Sequence, residues 1–239
     1  MSPVKIVLVY QSLLGIYGDQ GNSLVLQKRL TWRGIDAETI QVEPGEPLPR
    51  DGAIYLLGGG EDNAQTTAVR ELTADGGLHA AVADGAVLFA VCAGYQICGH
   101  TFTIGDTDEV RDGLGLLDVT TRRGARRAVG EILSRWQRPD GTESLISGFE
   151  NHGGYTQLGT EARPLARVEV GIGNANDGTE GAVQGRVIGT YPHGPVLARN
   201  PDLADHVLEL ALNRRVDPLD RARAEHDGLR AERRAFVHR

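Results

Sequence analysis

The run Ala86-Val-Leu-Phe-Ala-Val91 leads straight into Cys92-Ala-Gly-Tyr-Gln96. This junction constrains the fold more than any other segment. Six apolar residues with no polar alternate make a strand buried on both faces, as in the interior of a parallel sheet. The small residues that follow let a helix begin at once, so a cysteine sits on a sharp strand-to-helix bend, a nucleophile elbow. Such a bend needs small neighbours, here Ala90 and Gly94. The start of the helix favours a thiolate and offers backbone N–H groups to a developing oxyanion. The alternative is a cysteine that only packs, since free cysteine is among the most often buried residue types.

The same alternation recurs along the chain. Lys5-Ile-Val-Leu-Val-Tyr10 predicts a strand, Tyr17-Gly-Asp-Gln-Gly-Asn22 a glycine-rich turn, and Leu24 to Arg33 a helix closed by Gly34. Ala53 to Leu57 predicts another strand, Gly58-Gly-Gly60 a sharp turn, and Asp62 to Leu72 a helix capped by Asp62 or Asn63. Strands alternating with helices predict an α/β fold, a mostly parallel sheet flanked by helices, with ligands beyond the carboxyl ends of the strands. Between about Arg111 and Glu180 the composition shifts to Gly, Thr and charge, which predicts shorter strands and loops. Pro201 to Arg239 reads as a charged helical tail. A length of 239 residues fits a single domain over 1–239.

A formal net charge of -7 argues against a general nucleic-acid binder. Arg122, Arg123, Arg126 and Arg127 form a local basic cluster, either a solvated loop or a site for a carboxylate or phosphate. No apolar run approaches the roughly 20 residues of a membrane span, and no signal peptide is legible, so membrane insertion is not expected and a cytoplasmic location is. The chain has 2 cysteines, Cys92 and Cys98, without a CxxC pattern, so neither a disulfide framework nor a metal site is expected.

A thiolate needs a base. His193, in Gly189-Thr-Tyr-Pro-His-Gly-Pro195, follows the apolar segment Val187 to Thr190 and so stands at a strand end on the ligand side. His79 and His100 lie on or beside helices, His206 and His238 lie in the tail, and only His152 shares a glycine-rich setting. The glycines of Leu56-Leu-Gly-Gly-Gly-Glu-Asp62 lack the spacing of a dinucleotide or phosphate loop. They are suited to presenting backbone N–H groups to a carbonyl oxygen, completing an oxyanion hole with Ala93.

In order and spacing these elements resemble the class I glutamine amidotransferases, a flavodoxin-like fold. The finer pattern of Tyr17 to Asn22, Cys92 to Gln96, Gly148-Phe-Glu-Asn-His-Gly-Gly-Tyr155 and Gly189 to Pro195 is similar to the CobB/CobQ-like branch. Within it, the pattern looks like the glutaminase subunits of lipid II isoglutaminyl synthase. The resemblance implies Cys92 as nucleophile and His193 as base, releasing ammonia from glutamine. It implies a heterodimer with a Mur-ligase-like synthetase partner that holds ATP and metal, no cofactor in this chain, and conversion of D-glutamate in the peptidoglycan stem peptide to D-isoglutamine. It also implies glutamine contacts at Arg127, with Arg126 as the fallback, and at Gly60, Ala93 and Gln96. Two departures stand out: Ala90 replaces a usual glycine, and Pro195 stands where the usual triad has a glutamate. The orienting acid therefore comes from elsewhere in the chain or from the partner. The alternatives are an amidotransferase for cobyrinate-type amidation, whose members carry a fused ATP-dependent domain, a non-catalytic scaffold subunit, and a deglycase-like relative.

Overall fold

The computed structural model describes residues 2–15, 17–105, 109–219 and 228. The chain opens with β1 (Val4–Val9), α1 (Gln11–Leu14), α2 (Gly21–Thr31) and β2 (Ala37–Val42). β3 (Ile54–Leu57), α3 (Asp62–Asp75), α4 (Gly77–Ala83), β4 (Val87–Val91) and α5 (Ala93–Ile97) follow. A strand-rich section comprises β5 (Thr101–Ile104), β6 (Glu109–Asp112), β7 (Val119–Gln137), β8 (Glu143–Leu158), β9 (Ala166–Val170), β10 (Thr179–Glu180) and β11 (Ala182–Gln184). β12 (Val187–Thr190), α6 (Val196–Arg199) and α7 (Pro201–Leu212) complete it.

The first sheet has the order β11-β12-β4-β3-β1-β2. Its pairs are parallel except β11 against β12. Every residue of β3, β4 and β12 is buried, which is why these strands are continuous apolar runs. The edge strand β2 is half-buried or exposed at every position but Val42, and its sequence Ala-Glu-Thr-Ile-Gln-Val carries no such run. With β1, β3, β4 and β12 parallel, their carboxyl ends lie along one edge. Cys92 and the Gly58 to Gly60 turn stand on that edge, and His193 lies three residues past the end of β12.

Two expectations need correction. The section from Arg111 to Glu180 does not consist of short strands and loops: β7 runs for 19 residues and β8 for 16, paired antiparallel as one long hairpin in a second sheet. That sheet has the order β10-β9-β7-β5-β6, with β8 on β7. Much of β7 and part of β8 face solvent, so polar residues and glycines interrupt the apolar pattern without interrupting the ladder. The cap of α3 is Glu61, extended at φ -86 and ψ 166, rather than Asp62 or Asn63. Asp62 lies in the first helical turn, and its carboxylate accepts the Gly105 N–H at 2.7 Å.

An antiparallel bridge joins the two sheets: Phe149 of β8 donates to the His193 carbonyl at 3.2 Å, and His193 N–H donates to the Phe149 carbonyl at 2.9 Å. Near the end, Leu203, Ala204, Val207 and Leu208 of α7 are buried, and Asn213, at φ 52, closes the helix. Residues 220–227 and 229–239 of the expected helical tail lie outside the described residues.

Candidate active site

Cys92 occupies the bend between β4 and α5 with φ 52 and ψ -106, a region that side-chain-bearing residues rarely enter. Such a conformation costs on the order of 1–3 kcal/mol and persists only where the surroundings enforce it. They do so here through three backbone hydrogen bonds. Cys92 N–H donates to the Thr190 carbonyl at 2.8 Å, Gly94 N–H to the Gly58 carbonyl at 3.0 Å, and Gln96 N–H to the Cys92 carbonyl at 3.0 Å. A Cβ at Gly94 would stand 2.7 Å from the Leu57 Cβ, so the close approach of strand and helix does require glycine there.

His193 is brought beside this bend because β12 and β4 are neighbours in register, Thr190 opposite Val91. Its imidazole is buried, and its Nδ1 lies 3.1 Å from Oδ2 and 3.3 Å from Oδ1 of Asp19, itself buried. The same Oδ2 accepts the Gly59 N–H at 2.9 Å, and the Tyr17 ring packs on His193 with centroids 4.6 Å apart. Nε2 is buried without a hydrogen-bond partner. Burial opposes the charged form of His193, yet the Asp19 and Cys92 side chains outweigh it and raise the imidazole to about 10. The Asp19 carboxylate against Nδ1 therefore favours the imidazolium form of His193. The Cys92 thiol also points toward the Asn151 carbonyl, at 3.9 Å.

The pocket beside Cys92 is lined by Gly60, Ala93, Gln96, Arg123, Arg127 and the glycines 153 and 154, among others. Every substrate-contact residue expected from sequence thus faces this pocket; Arg126, the fallback, is not among its lining residues. Arg127 is held by Asn151, its Nε donating to the side-chain oxygen at 2.8 Å. The basic cluster belongs to β7 rather than to a loop, and the register of β7 on β8 shifts between Arg123 and Ala128. Across that irregularity Arg123 and Arg127 reach the pocket, while Arg122 donates to the Thr101 hydroxyl at 2.8 Å. Burial holds the Tyr17 phenol above its ordinary range, with Arg127 acting in the opposite direction. Gln96 lines the pocket with both ends of its amide engaged, accepting from Gln65 at 2.7 Å and donating to the Tyr191 hydroxyl at 3.3 Å.

Sequence reasoning did not single out Asp19 as the acid on His193, nor Asp62, Gln65, Asn151 and His152 as site residues. Asp19 had a signal, since its loop follows β1 on the ligand edge of the sheet. His152 stacks on Tyr191, with centroids 3.6 Å apart, and its Nδ1 lies 2.8 Å from the Gly154 carbonyl. Gln65 belongs to no motif. Among the described residues no cluster of three or more His, Cys, Asp or Glu side chains is arranged to hold a metal.

A strained cysteine at an elbow, an imidazole beside it carrying a carboxylate on its far nitrogen, and a pocket with guanidinium groups define a cysteine-dependent amidohydrolase site of the triad type. Residues 5–201 match the CobB/CobQ-like glutamine amidotransferase domain, and the chain belongs to that family. It is 35% identical over 212 residues to the lipid II isoglutaminyl synthase (glutamine-hydrolyzing) subunit GatD of Staphylococcus aureus (strain N315), covering 87% of this chain and 84% of that one. The subunit of the same name from Streptococcus pneumoniae (strain ATCC BAA-255 / R6) is 30% identical, over 89% of this chain and 82% of that one. Cobyric acid synthase of Sphingopyxis alaskensis (strain DSM 13593 / LMG 18877 / RB2256) is 36% identical over 72% of this chain, but the match spans 34% of that enzyme. Among solved structures, a glutamine amidotransferase shares the fold with a TM-score of 0.58 at 24% identity, covering 87% of this chain and 98% of that one.

Proposed function

We propose that the chain is the glutaminase subunit of a lipid II isoglutaminyl synthase. The observation that carries this reading is the Cys92–His193–Asp19 constellation opening on a pocket with two arginines. Its support beyond chemistry is that the two GatD subunits match nearly end to end, whereas the cobyric acid synthase match spans a third of that enzyme. The Cys92 thiolate attacks the γ-carboxamide carbon of L-glutamine, and the N–H groups of Gly60 and Ala93 receive the oxyanion. Each such donor is worth about 3 kcal/mol of barrier. His193 gives its proton to the departing ammonia, then takes one from the water that hydrolyses the γ-glutamyl thioester. Arg127, held by Asn151, binds the α-carboxylate as a two-pronged donor.

Ammonia then passes to a Mur-ligase-like partner that binds ATP and metal and amidates D-glutamate of the lipid II stem peptide to D-isoglutamine. This chain holds no cofactor in that scheme. It works in the cytoplasm on this reading. No described helix is long and apolar enough to cross a membrane. The test is ammonia release from L-glutamine by the chain alone and with a Mur-ligase-like partner from the same cell. Release that requires Cys92 and rises with the partner is expected; release that persists in Cys92→Ala rejects the mechanism.

A further inference from the structure

One buried polar atom in the pocket has no partner in the protein. Gln65, on α3, is 2% exposed, and its side-chain oxygen makes no hydrogen bond although it stands at the pocket wall. A buried carbonyl without a hydrogen bond is costly, so its retention calls for an explanation.

The direction of the hydrogen bonds behind Gln65 explains which end of its amide is left over. The Tyr191 hydroxyl lies 2.6 Å from the Thr156 hydroxyl and, with Thr156 donating to it, gives its own proton to the Gly154 carbonyl at 3.1 Å. Burial pushes that phenol up, so it remains a donor. Its oxygen accepts from Gln96 Nε2 at 3.3 Å. Gln96 is thereby oriented with Oε1 toward Gln65, and accepts from Gln65 Nε2 at 2.7 Å. The nitrogen of Gln65 is committed to the chain of bonds, and its buried oxygen is left as a bare acceptor on a residue that lines the pocket.

Asp62 lies three residues earlier on α3 and lines the same pocket, so the two side chains share a helix face. A carboxylate and a carbonyl on one helix face call for a cationic donor, while Arg123 and Arg127 call for an anion. A free α-amino acid carries both. On the glutaminase reading above, on which this inference rests, the γ-carboxamide lies at Cys92 and the α-carboxylate at Arg127. The group left to meet an acceptor is the α-ammonium. We infer that Gln65 Oε1, with Asp62, binds the α-ammonium of the substrate, and that this pair makes the site select a free α-amino acid over carboxamides that lack the amine.

The comparison substrate is 4-carbamoylbutanoate, which is L-glutamine without its amino group. Binding of both compounds is measured by calorimetry to the Cys92→Ala chain and to Cys92→Ala carrying Gln65→Met, which keeps the length and apolar bulk of the side chain but removes its amide. A hydrogen bond to a charged group predicts that Gln65→Met weakens L-glutamine about 10- to 100-fold while 4-carbamoylbutanoate changes less than twofold. Asp62→Asn is expected to move the same ratio in the same direction. Equal weakening of both compounds, or an unchanged ratio, overturns the inference. Ammonia release by the wild-type chain with its partner is read separately. Release intact with the ratio unmoved rejects the ammonium site alone, whereas no release from L-glutamine rejects the glutaminase reading and this inference with it.

Discussion

Asp19 and His193, 174 positions apart in the chain, meet through Oδ2 and Nδ1 at 3.1 Å. The contact places an acid on the histidine where the motif around His193 offers only Pro195. It has a built character: Asp19 also accepts the Gly59 N–H, so the carboxylate is held from two sides.

Replacing Asp19 by Asn removes the charge but not the bulk. The effect expected is a fall in kcat of about 100-fold or more, because the imidazole loses both its tautomer preference and the partner that stabilises its protonated form. The sign of the pH effect follows from the cause. Asp19 is a principal contributor raising His193 to about 10, so its removal lowers that value and the alkaline limb of the pH–rate profile moves to lower pH. Ammonia release measured from pH 6 to 10.5 checks both parts, and an unshifted alkaline limb would count against the contact as the source of the raised value.

Gly59 is the floor on which the pair rests. A Cβ there would stand 2.8 Å from His193 Cε1 and 2.8 Å from the Tyr17 ring, closer than real contacts allow. Gly59→Ala is expected to displace the imidazole, to lower kcat at least tenfold, and to cost about 1–3 kcal/mol of stability by overpacking. Urea unfolding and glutamine hydrolysis on the same preparation test this. Wild-type values of both would mean that the turn moves away without cost.

The parallel sheet was legible because β3, β4 and β12 are buried on both faces, and burial of that kind writes itself as uninterrupted apolar sequence. Cys92 and His193 were legible for the same reason, each standing just past such a strand. The long β7–β8 hairpin was not, because its ladder depends on pairing between distant residues while much of its surface is wet. Asp19, Asn151 and Gln65 escaped for a related reason. Each acts through a partner remote in sequence: Asp19 on His193, Asn151 on Arg127, Gln65 on Gln96. Nothing local marks such residues, although a loop at the carboxyl edge of the sheet was the place to look for Asp19.

The two cysteines provide a test of reactivity. Cys98 is fully buried, and burial alone pushes its thiol far above the ordinary range. Cys92 faces the pocket beside the imidazole. Iodoacetamide on the folded protein at pH 7.5 is therefore expected to add one label, at Cys92, blocked by saturating L-glutamine and absent in Cys92→Ala. Mass spectrometry that finds Cys98 labelled at a comparable rate would contradict the burial argument.

Glu180 carries the clearest link between protonation and stability. It is buried, with Oε1 accepting the Thr190 hydroxyl at 2.9 Å and the Tyr191 N–H at 2.8 Å, while Oε2 has no partner. Burial raises its carboxyl to about 7 despite those two donors. Because the folded-state value lies above the unfolded one, its favourable contribution is complete below about 4.5 and is lost as the pH rises through 7. At higher pH the fold must hold an incompletely solvated charge, a penalty on the order of 3 kcal/mol. Gln at this position does not titrate. The stability of Glu180→Gln relative to wild type is therefore expected to rise between pH 5 and pH 8, and the variant to gain on wild type where the glutamate is ionised. Urea unfolding of both proteins at the two pH values measures the difference. A difference that does not change with pH would show that Glu180 keeps one charge state throughout, and that its two hydrogen bonds, rather than its burial, decide its proton affinity.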